Sequence, residues 1–391
     1  MSSQSLFKSA REQLLIERQL RTYSFQSLML DMAIGAIDPI TYLPGVRERT
    51  IMEIFGPNQT GKTLLAENLM ESVLTRDPNF YALFLSTEES KVERFMMRGL
   101  DIDRIRMWNY SSRDSKGELI PAISALDMAA ELIYKDKDCR LVIIDSVKAL
   151  TTPEEQKKDV DDRTIAVREH ILTSYLRKHL SQNNSNAICL LINQTSQTIK
   201  TMGRNPEVGY NFKEYTSGGL FSNHVCDVRI DCDSTLIEGK EKHSVTQMNP
   251  GIGYNFFFKL IKNKCCKSNS HTTNRRAVVE FYFDRGRFFR GKEVLDIAEH
   301  LGIIQQLSSK KEEREPGKAY ASGHYYYFGD ESINGYNNAC EWLDSDPKGI
   351  VYREELEKLI VPRGEEFFSI PGTTNKKKAK ELLDGKAGEE G

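Results

Sequence analysis

Residues 50–63 read TIMEIF-GPNQTGKT, a largely apolar hexad followed at once by Gly56, Pro57, Asn58, Gln59, Thr60, Gly61, Lys62 and Thr63. The last eight fit the pattern G-x-x-x-x-G-K-[ST] in full, and a helix-like run, LLAENLMESVL (64–74), comes next. Strand, glycine-rich turn and helix in that order make a phosphate site. The glycines let backbone N–H groups wrap an anion, and the positive end of the helix dipole faces it. In such a site Lys62 neutralises charge on the β- and γ-phosphates, and the Thr63 hydroxyl ligates Mg²⁺. The expected ligand is a nucleoside triphosphate with Mg²⁺.

Outward from this stretch, further apolar runs read as buried strands: 81–85 (YALFL), 141–144 (LVII) and 187–192 (AICLLI). Helical patterns lie between them at 120–134 and 164–180. Strands alternating with helices predict βαβ units and a mostly parallel sheet, an α/β fold. Asp145 closes the strand LVIID, where a carboxylate reaches the metal through a water. Glu88 ends YALFLSTE and could orient an attacking water, with neighbouring Glu89 competing for that role. Asn193 and Gln194 end AICLLIN, an amide pair placed to touch a γ-phosphate or merely to cap a strand.

The chain of 391 residues is long enough for one core of about 250 residues plus appendages. Its net charge of −2 gives no bulk attraction to nucleic acid, so any such binding must come from a local surface. Seven scattered cysteines, an odd count, argue against a disulfide framework and for a reduced cytoplasmic protein. No apolar run approaches the roughly 20 residues of a membrane span, so no membrane partner is expected. Residues 1–23 read as one mixed-charge amphipathic helix, without a signal-peptide apolar region.

Later strands at 225–232, 254–262 and 277–284 follow one another without long helices and predict antiparallel additions at a sheet edge. From about residue 291 short helices and an aromatic stretch (320–329) predict a smaller domain. The tail after Pro362 mixes lysines with acids and predicts little order. The segment 195–219 lacks periodicity and interleaves Lys200, Arg204 and Lys213 with Met202, Tyr210, Phe212 and Tyr215. Cations attract phosphate while aromatic and apolar groups stack on bases, so this loop suits single strands. A flexible surface loop is the plainer alternative.

Taken together the chain resembles the RecA family of recombinases, cellular and phage. The resemblance runs in order through SLMLDMAIGA (27–36), the glycine-rich turn, FLSTEE around Glu88 and IIDSVKALTTP (143–153). It continues through INQ (192–194), NPE (205–207), SGG (217–219), KNK (262–264), HLGII (300–304), GHYYYFGD (323–330) and NGYNNACEWL (334–343). It implies a P-loop NTPase core with ATP as ligand, an N-terminal polymerisation helix (1–23), a core (24–289), a small α/β C-terminal domain (290–362) and a charged tail (363–391). It also implies a DNA-dependent ATPase that forms a helical filament of its own copies on single-stranded DNA and exchanges strands with duplex DNA.

By resemblance Glu88 is the catalytic glutamate and Gln194 the residue linking ATP state to DNA binding. Lys262 and Lys264 reach a neighbouring subunit's ATP. Lys200, Met202, Arg204, Glu207, Lys213, Gly218 and Gly219 fall in the longer DNA-binding loop, and a shorter loop lies near 154–163. Ser86 stands where the family often has aspartate, and the residue that stacks on adenine is open between Arg94 and Phe95. Loading or mediator proteins are possible partners. Two rivals remain, a hexameric helicase on the same core and a weakly catalytic paralogue acting as a DNA-binding mediator. The KNK lysines and NGYNNACEWL segment disfavour the first; intact Lys62, Thr63, Glu88 and Asp145 disfavour the second.

Overall fold

Ser9 opens the first helix in the computed structural model, which describes residues 9–87, 92–147, 150, 165–197, 214–216, 224–239, 250–265, 275–307 and 318–369. Its hydroxyl accepts from the Glu12 N–H while the Glu12 carboxylate accepts from the Ser9 N–H, a reciprocal cap that starts α1 (Ala10–Glu17). Of the expected helix 1–23, residues 1–8 lie outside the described residues, and α1 ends at Glu17, short of residue 23. Thr22 and Tyr23, β-branched and aromatic, are already a strand, β1 (Thr22–Tyr23). α2 (Leu28–Ile34) follows, then β2 (Ala36–Ile37) and β3 (Pro44–Arg47), an antiparallel pair.

Among the described residues, those within 1–23, 47–233 and 260–265 form one compact unit. Its apolar runs are the strands expected: β4 (Ile51–Gly56), β5 (Tyr81–Ser86), β7 (Cys139–Asp145) and β8 (Ile188–Gln197). A four-residue edge strand, β6 (Ile105–Trp108), was not expected. The helices are α3 (Lys62–Arg76), α4 (Val92–Met97), α5 (Ala122–Lys135) and α6 (Ile165–Gln182). With β9 (Glu214–Thr216) and β10 (Val228–Glu238) the described strands of this unit run in the order β10-β4-β8-β7-β5-β6, with β9 on β8, and two later strands are β11 (Gly251–Asn263) and β12 (Arg276–Tyr282).

Neighbours from β10 through β6 run parallel. The expectation of antiparallel additions holds for β11 against β12. It is corrected for β10, which lies parallel to β4 with Val228–Asp231 beside Met52–Phe55. α5 and α6 cover the sheet through Ala125, Leu126, Ile133, Leu172 and Leu176, packed on Val142, Ile144 and Leu191. Burying apolar sheet faces under helices is what makes a parallel arrangement stable.

The second unit takes described residues within 24–46, 234–259 and 266–391. Here α7 (Arg290–His300), α8 (Tyr336–Ser345), α9 (Pro347–Ile360) and α10 (Gly364–Ser369) accompany a small sheet of β13 (Gln305–Gln306), β14 (Ala319–Ser322), β15 (Tyr325–Phe328) and β16 (Glu331–Asn334). Val294, Leu295, Ala298, Phe328, Leu343 and Ile360 are in its core together with Leu28 and Met32 of α2. In the tyrosine run Tyr326 and Tyr327 are buried and Tyr325 is half-buried. A polar cluster fastens α2: the Glu293 carboxylate accepts from the Ser27 hydroxyl (3.1 Å) and the Met29 N–H (3.2 Å), and Asp31 accepts from the Phe25 N–H (2.8 Å). Arg290 forks onto Glu357 at 2.6 and 2.8 Å.

Candidate nucleotide site

The end of β4 and the start of α3 build the glycine-rich turn. Gly56 has φ +149°, and a Cβ there would come within 2.1 Å of the Cys232 carbonyl oxygen in β10, so only glycine fits. Gly61, at φ +81°, is the N-cap of α3 and turns the first N–H groups of that helix outward. Lys62 is buried. Its ammonium donates to the carbonyl oxygens of Gly56 (3.0 Å) and Pro57 and to the Thr60 hydroxyl (3.2 Å). The Thr60 hydroxyl in turn donates to Pro57 O at 2.9 Å.

Sheet register carries the other groups to this edge. Gln194 is the cross-strand partner of Gly56, Asn193 that of Phe55, and Asp145 pairs with Ile192 on one side and Ser86 on the other. Thr63, in the first turn of α3, donates its hydroxyl to Asp145 Oδ2 at 3.2 Å. A hydroxyl and a carboxylate oxygen at that distance form a hard, oxygen-only donor set, which suits a divalent cation of the Mg²⁺ kind. The glycine cradle, the helix start and a buried ammonium suit a polyphosphate.

Glu88 and its rival Glu89 lie outside the described residues, but the chain on both sides of them is tied down. The Thr87 N–H donates to Asp145 O at 2.7 Å, and the Ser146 N–H donates to the Thr87 hydroxyl at 2.9 Å. After them in sequence, α4 is clamped to α3: Arg94 Nε meets Glu67 Oε1 at 2.6 Å and Arg98 meets Glu67 at 3.5 Å and Glu71 at 3.2 Å. Burial pushes the Glu67 carboxyl upward, and Arg94 and Arg98 oppose that shift. Of the two adenine candidates, Phe95 is buried against Phe84 with centroids 5.4 Å apart, while Arg94 keeps 47% of its side chain exposed.

Lys262 and Lys264 are not brought to this edge. Lys262 donates to His224 O at 3.0 Å, and partial burial, then the charge of Lys264, lower its pKa. Lys264 sits 3.7 Å from Asp227, whose other carboxylate oxygen accepts from the N–H of Ile51 (3.2 Å), the first residue of β4. These lysines therefore stand at the opposite end of the strand that delivers the glycine-rich turn. Lys200, Met202, Arg204, Glu207, Lys213, Gly218 and Gly219 lie outside the described residues, as does the shorter loop. The stems of the longer loop are described: β8 and β9 pair antiparallel, Thr195 with Thr216 and Gln197 with Glu214.

Two side chains that the sequence reading passed over complete the edge. Glu53, buried within β4, accepts from Asn193 Nδ2 (2.9 Å) and from Arg229 Nε (2.6 Å). A lone acid in the run TIMEIF was the available signal, because a buried carboxylate must find partners.

A P-loop turn between a buried strand and a helix, with a carboxylate-ended strand in the same parallel sheet, defines a nucleotide-binding α/β protein of the P-loop class. Comparison narrows this. Residues 4–286 match the RecA N-terminal domain family, and the chain belongs to that family. Similar proteins include Protein RecA of Halalkalibacterium halodurans, 26% identical over 91% of this chain and 90% of the relative. Protein RecA of Streptococcus mutans is 28% identical over 93% and 82%, and that of Bacteroides thetaiotaomicron 27% identical over 85% of each. Among the described residues no helix is long and apolar enough to cross a membrane.

Proposed function

We propose that this protein is a DNA-dependent ATPase of homologous recombination, which forms a filament on single-stranded DNA and pairs it with homologous duplex. The observation that carries the reading is the register that sets Gly56 beside Gln194, with Thr63 and Asp145 3.2 Å apart at the same sheet edge. In this reading the 56–63 turn and Lys62 hold the phosphates of ATP, and Thr63 and Asp145 hold Mg²⁺. When bound, Mg²⁺ supplies neutralisation of charge on the phosphoryl oxygens. Glu88 orients the attacking water; on either side of it in the chain Thr87 is bonded to Ser146 and Arg94 to Glu67.

Gln194 reports the γ-phosphate to the DNA loop. Support comes from chain geometry, since the loop's two stems pair only three residues beyond Gln194 at Gln197 and Glu214. Within the loop Lys200, Arg204 and Lys213 would meet phosphate and Met202 the bases, and Glu207, Gly218 and Gly219 would also contact DNA. Lys262 and Lys264 would complete the site of an adjacent copy. The N-terminal segment 1–23 would dock on that copy, which suits α1, a helix that buries none of its residues and leaves Leu14 and Leu15 about half exposed. Segments 24–289, 290–362 and 363–391 are proposed as core, small duplex-admitting domain and tail, and the cytoplasm as the setting.

Steady-state ATP hydrolysis with and without single-stranded DNA, at two salt concentrations, tests the reading. Strong stimulation that weakens with salt is expected, together with Mg²⁺- and ATP-dependent filaments by electron microscopy. Turnover indifferent to DNA would overturn it in favour of a mediator paralogue, and closed rings would favour a helicase.

A further inference from the structure

The strand that carries the glycine-rich turn contains one acid, Glu53, at 1% exposure. Both of its oxygens are engaged. Oε2 takes Arg229 Nε at 2.6 Å, and Arg229 is also its cross-strand partner in β10. Oε1 takes Asn193 Nδ2 at 2.9 Å, and Asn193 Oδ1 accepts from the Gln194 backbone N–H at 3.1 Å. The Arg229 guanidinium also lies 4.8 Å over the Phe55 ring, which steadies its plane. A continuous polar line thus crosses three adjacent strands, β10, β4 and β8, and ends at Gln194.

Burying an ion pair seldom stabilises a sheet more than apolar residues of the same volume would. What such a pair supplies is direction, because both partners must be met in fixed geometry. On the face that Glu53 shares, Ile51, Phe55 and Leu191 are buried, so apolar side chains suit this part of the sheet. The charge at Glu53 is therefore best accounted for by what it orients.

We propose that Glu53, held by Arg229, is a positioning residue: through Asn193 it fixes the peptide that carries Gln194 and couples the nucleotide-sensing strand end to β10. The coupling has a second contact in the Cys232 carbonyl of β10, which lies against Gly56. A shift of β10 would then be felt both at the glycine-rich turn and at Gln194. This inference rests on the reading of Gln194 as the ATP sensor.

The test is the ratio of affinities for a fluorescein-labelled oligothymidylate, measured with a non-hydrolysable ATP analogue and with ADP at one ionic strength. Asn193→Ala removes the link and leaves the ion pair, and Arg229→Ala removes the support of Glu53. Each is expected to lower the ratio about tenfold or more, the scale of one hydrogen bond to a charged group. Arg140→Ala is the control. It breaks another buried pair of the same unit, 2.9 Å from Glu48, and is expected to lower the thermal midpoint while leaving the ratio within about twofold. Should Arg229→Ala not fold, Asn193→Ala decides. The proposal is overturned if Asn193→Ala keeps the wild-type ratio, or if Arg140→Ala lowers the ratio as much. A wild-type ratio near one would overturn the sensor reading itself, and this inference with it.

Discussion

Lys62 places an ammonium inside the turn, where it spans Gly56 O, Pro57 O and the Thr60 hydroxyl. Lys62→Ala is expected to reduce ATP turnover about a hundredfold or more, with the far-ultraviolet spectrum unchanged. A substitution that left turnover within about threefold would remove the turn from the chemistry. The cysteines point the other way, to inertness. Cys139, Cys189, Cys226, Cys232, Cys265 and Cys340 are all buried and unbridged, and burial pushes the thiols of Cys139 and Cys189 up to about 12. Since the thiolate is the reactive form, mass spectrometry after brief alkylation at pH 8 should find these six unmodified in native protein and modified in urea. Labelling of Cys139 or Cys189 before unfolding would contradict their burial.

At the scale of elements, the fastening of α2 makes the second unit sensitive to pH. Burial raises Asp31 from its ordinary value to about 7 and Glu293 to about 8, against the opposing hydrogen bonds of Phe25 and Met29. Protons held more tightly in the folded unit than in the unfolded chain stabilise the fold in full below about pH 4. That stability is lost as pH rises through about 7 and 8. Thermal melts of this unit's transition should fall between pH 6 and pH 9, at most about 1.4 kcal/mol per pH unit for each group, and Asp31→Asn should flatten the fall. A melt unchanged across that window would show that neither carboxyl carries its proton into the neutral range. Legibility in sequence also divides by element. Continuous apolar runs such as YALFL and AICLLI announce buried parallel strands, and β5 and β8 follow them closely. β6 is only IRMW, with exposed Arg106 breaking the run at a sheet edge, so periodicity carried too little signal. β10 alternates buried and half-buried residues as an antiparallel strand would, yet pairs parallel to β4; pairing direction is a long-range property that local pattern does not encode. In the site, motif spacing located Lys62, Thr63 and Asp145. It was silent on Glu53 and Arg229, 176 positions apart, which only strand order brings together.

For the whole molecule, the decisive fact is that one strand separates two sets of lysine. Lys262 and Lys264 gather near Ile51, where β4 begins, and Lys62 lies just past Gly56, where it ends, about 16 Å further on for an extended segment. If the catalytic site is shared between copies, Lys62→Ala and Lys264→Ala should each be nearly inactive with DNA, and an equal mixture should recover measurable turnover through mixed junctions. An inactive mixture, with both variants shown to co-assemble, would place all the catalytic lysines in one chain. Such sharing would also give an assembly two unlike ends. At one terminus a chain's nucleotide would face no neighbour, so it would be hydrolysed last and kept longest. That terminus would act as a durable stopper, while interior chains lost their grip first and opened the assembly from within.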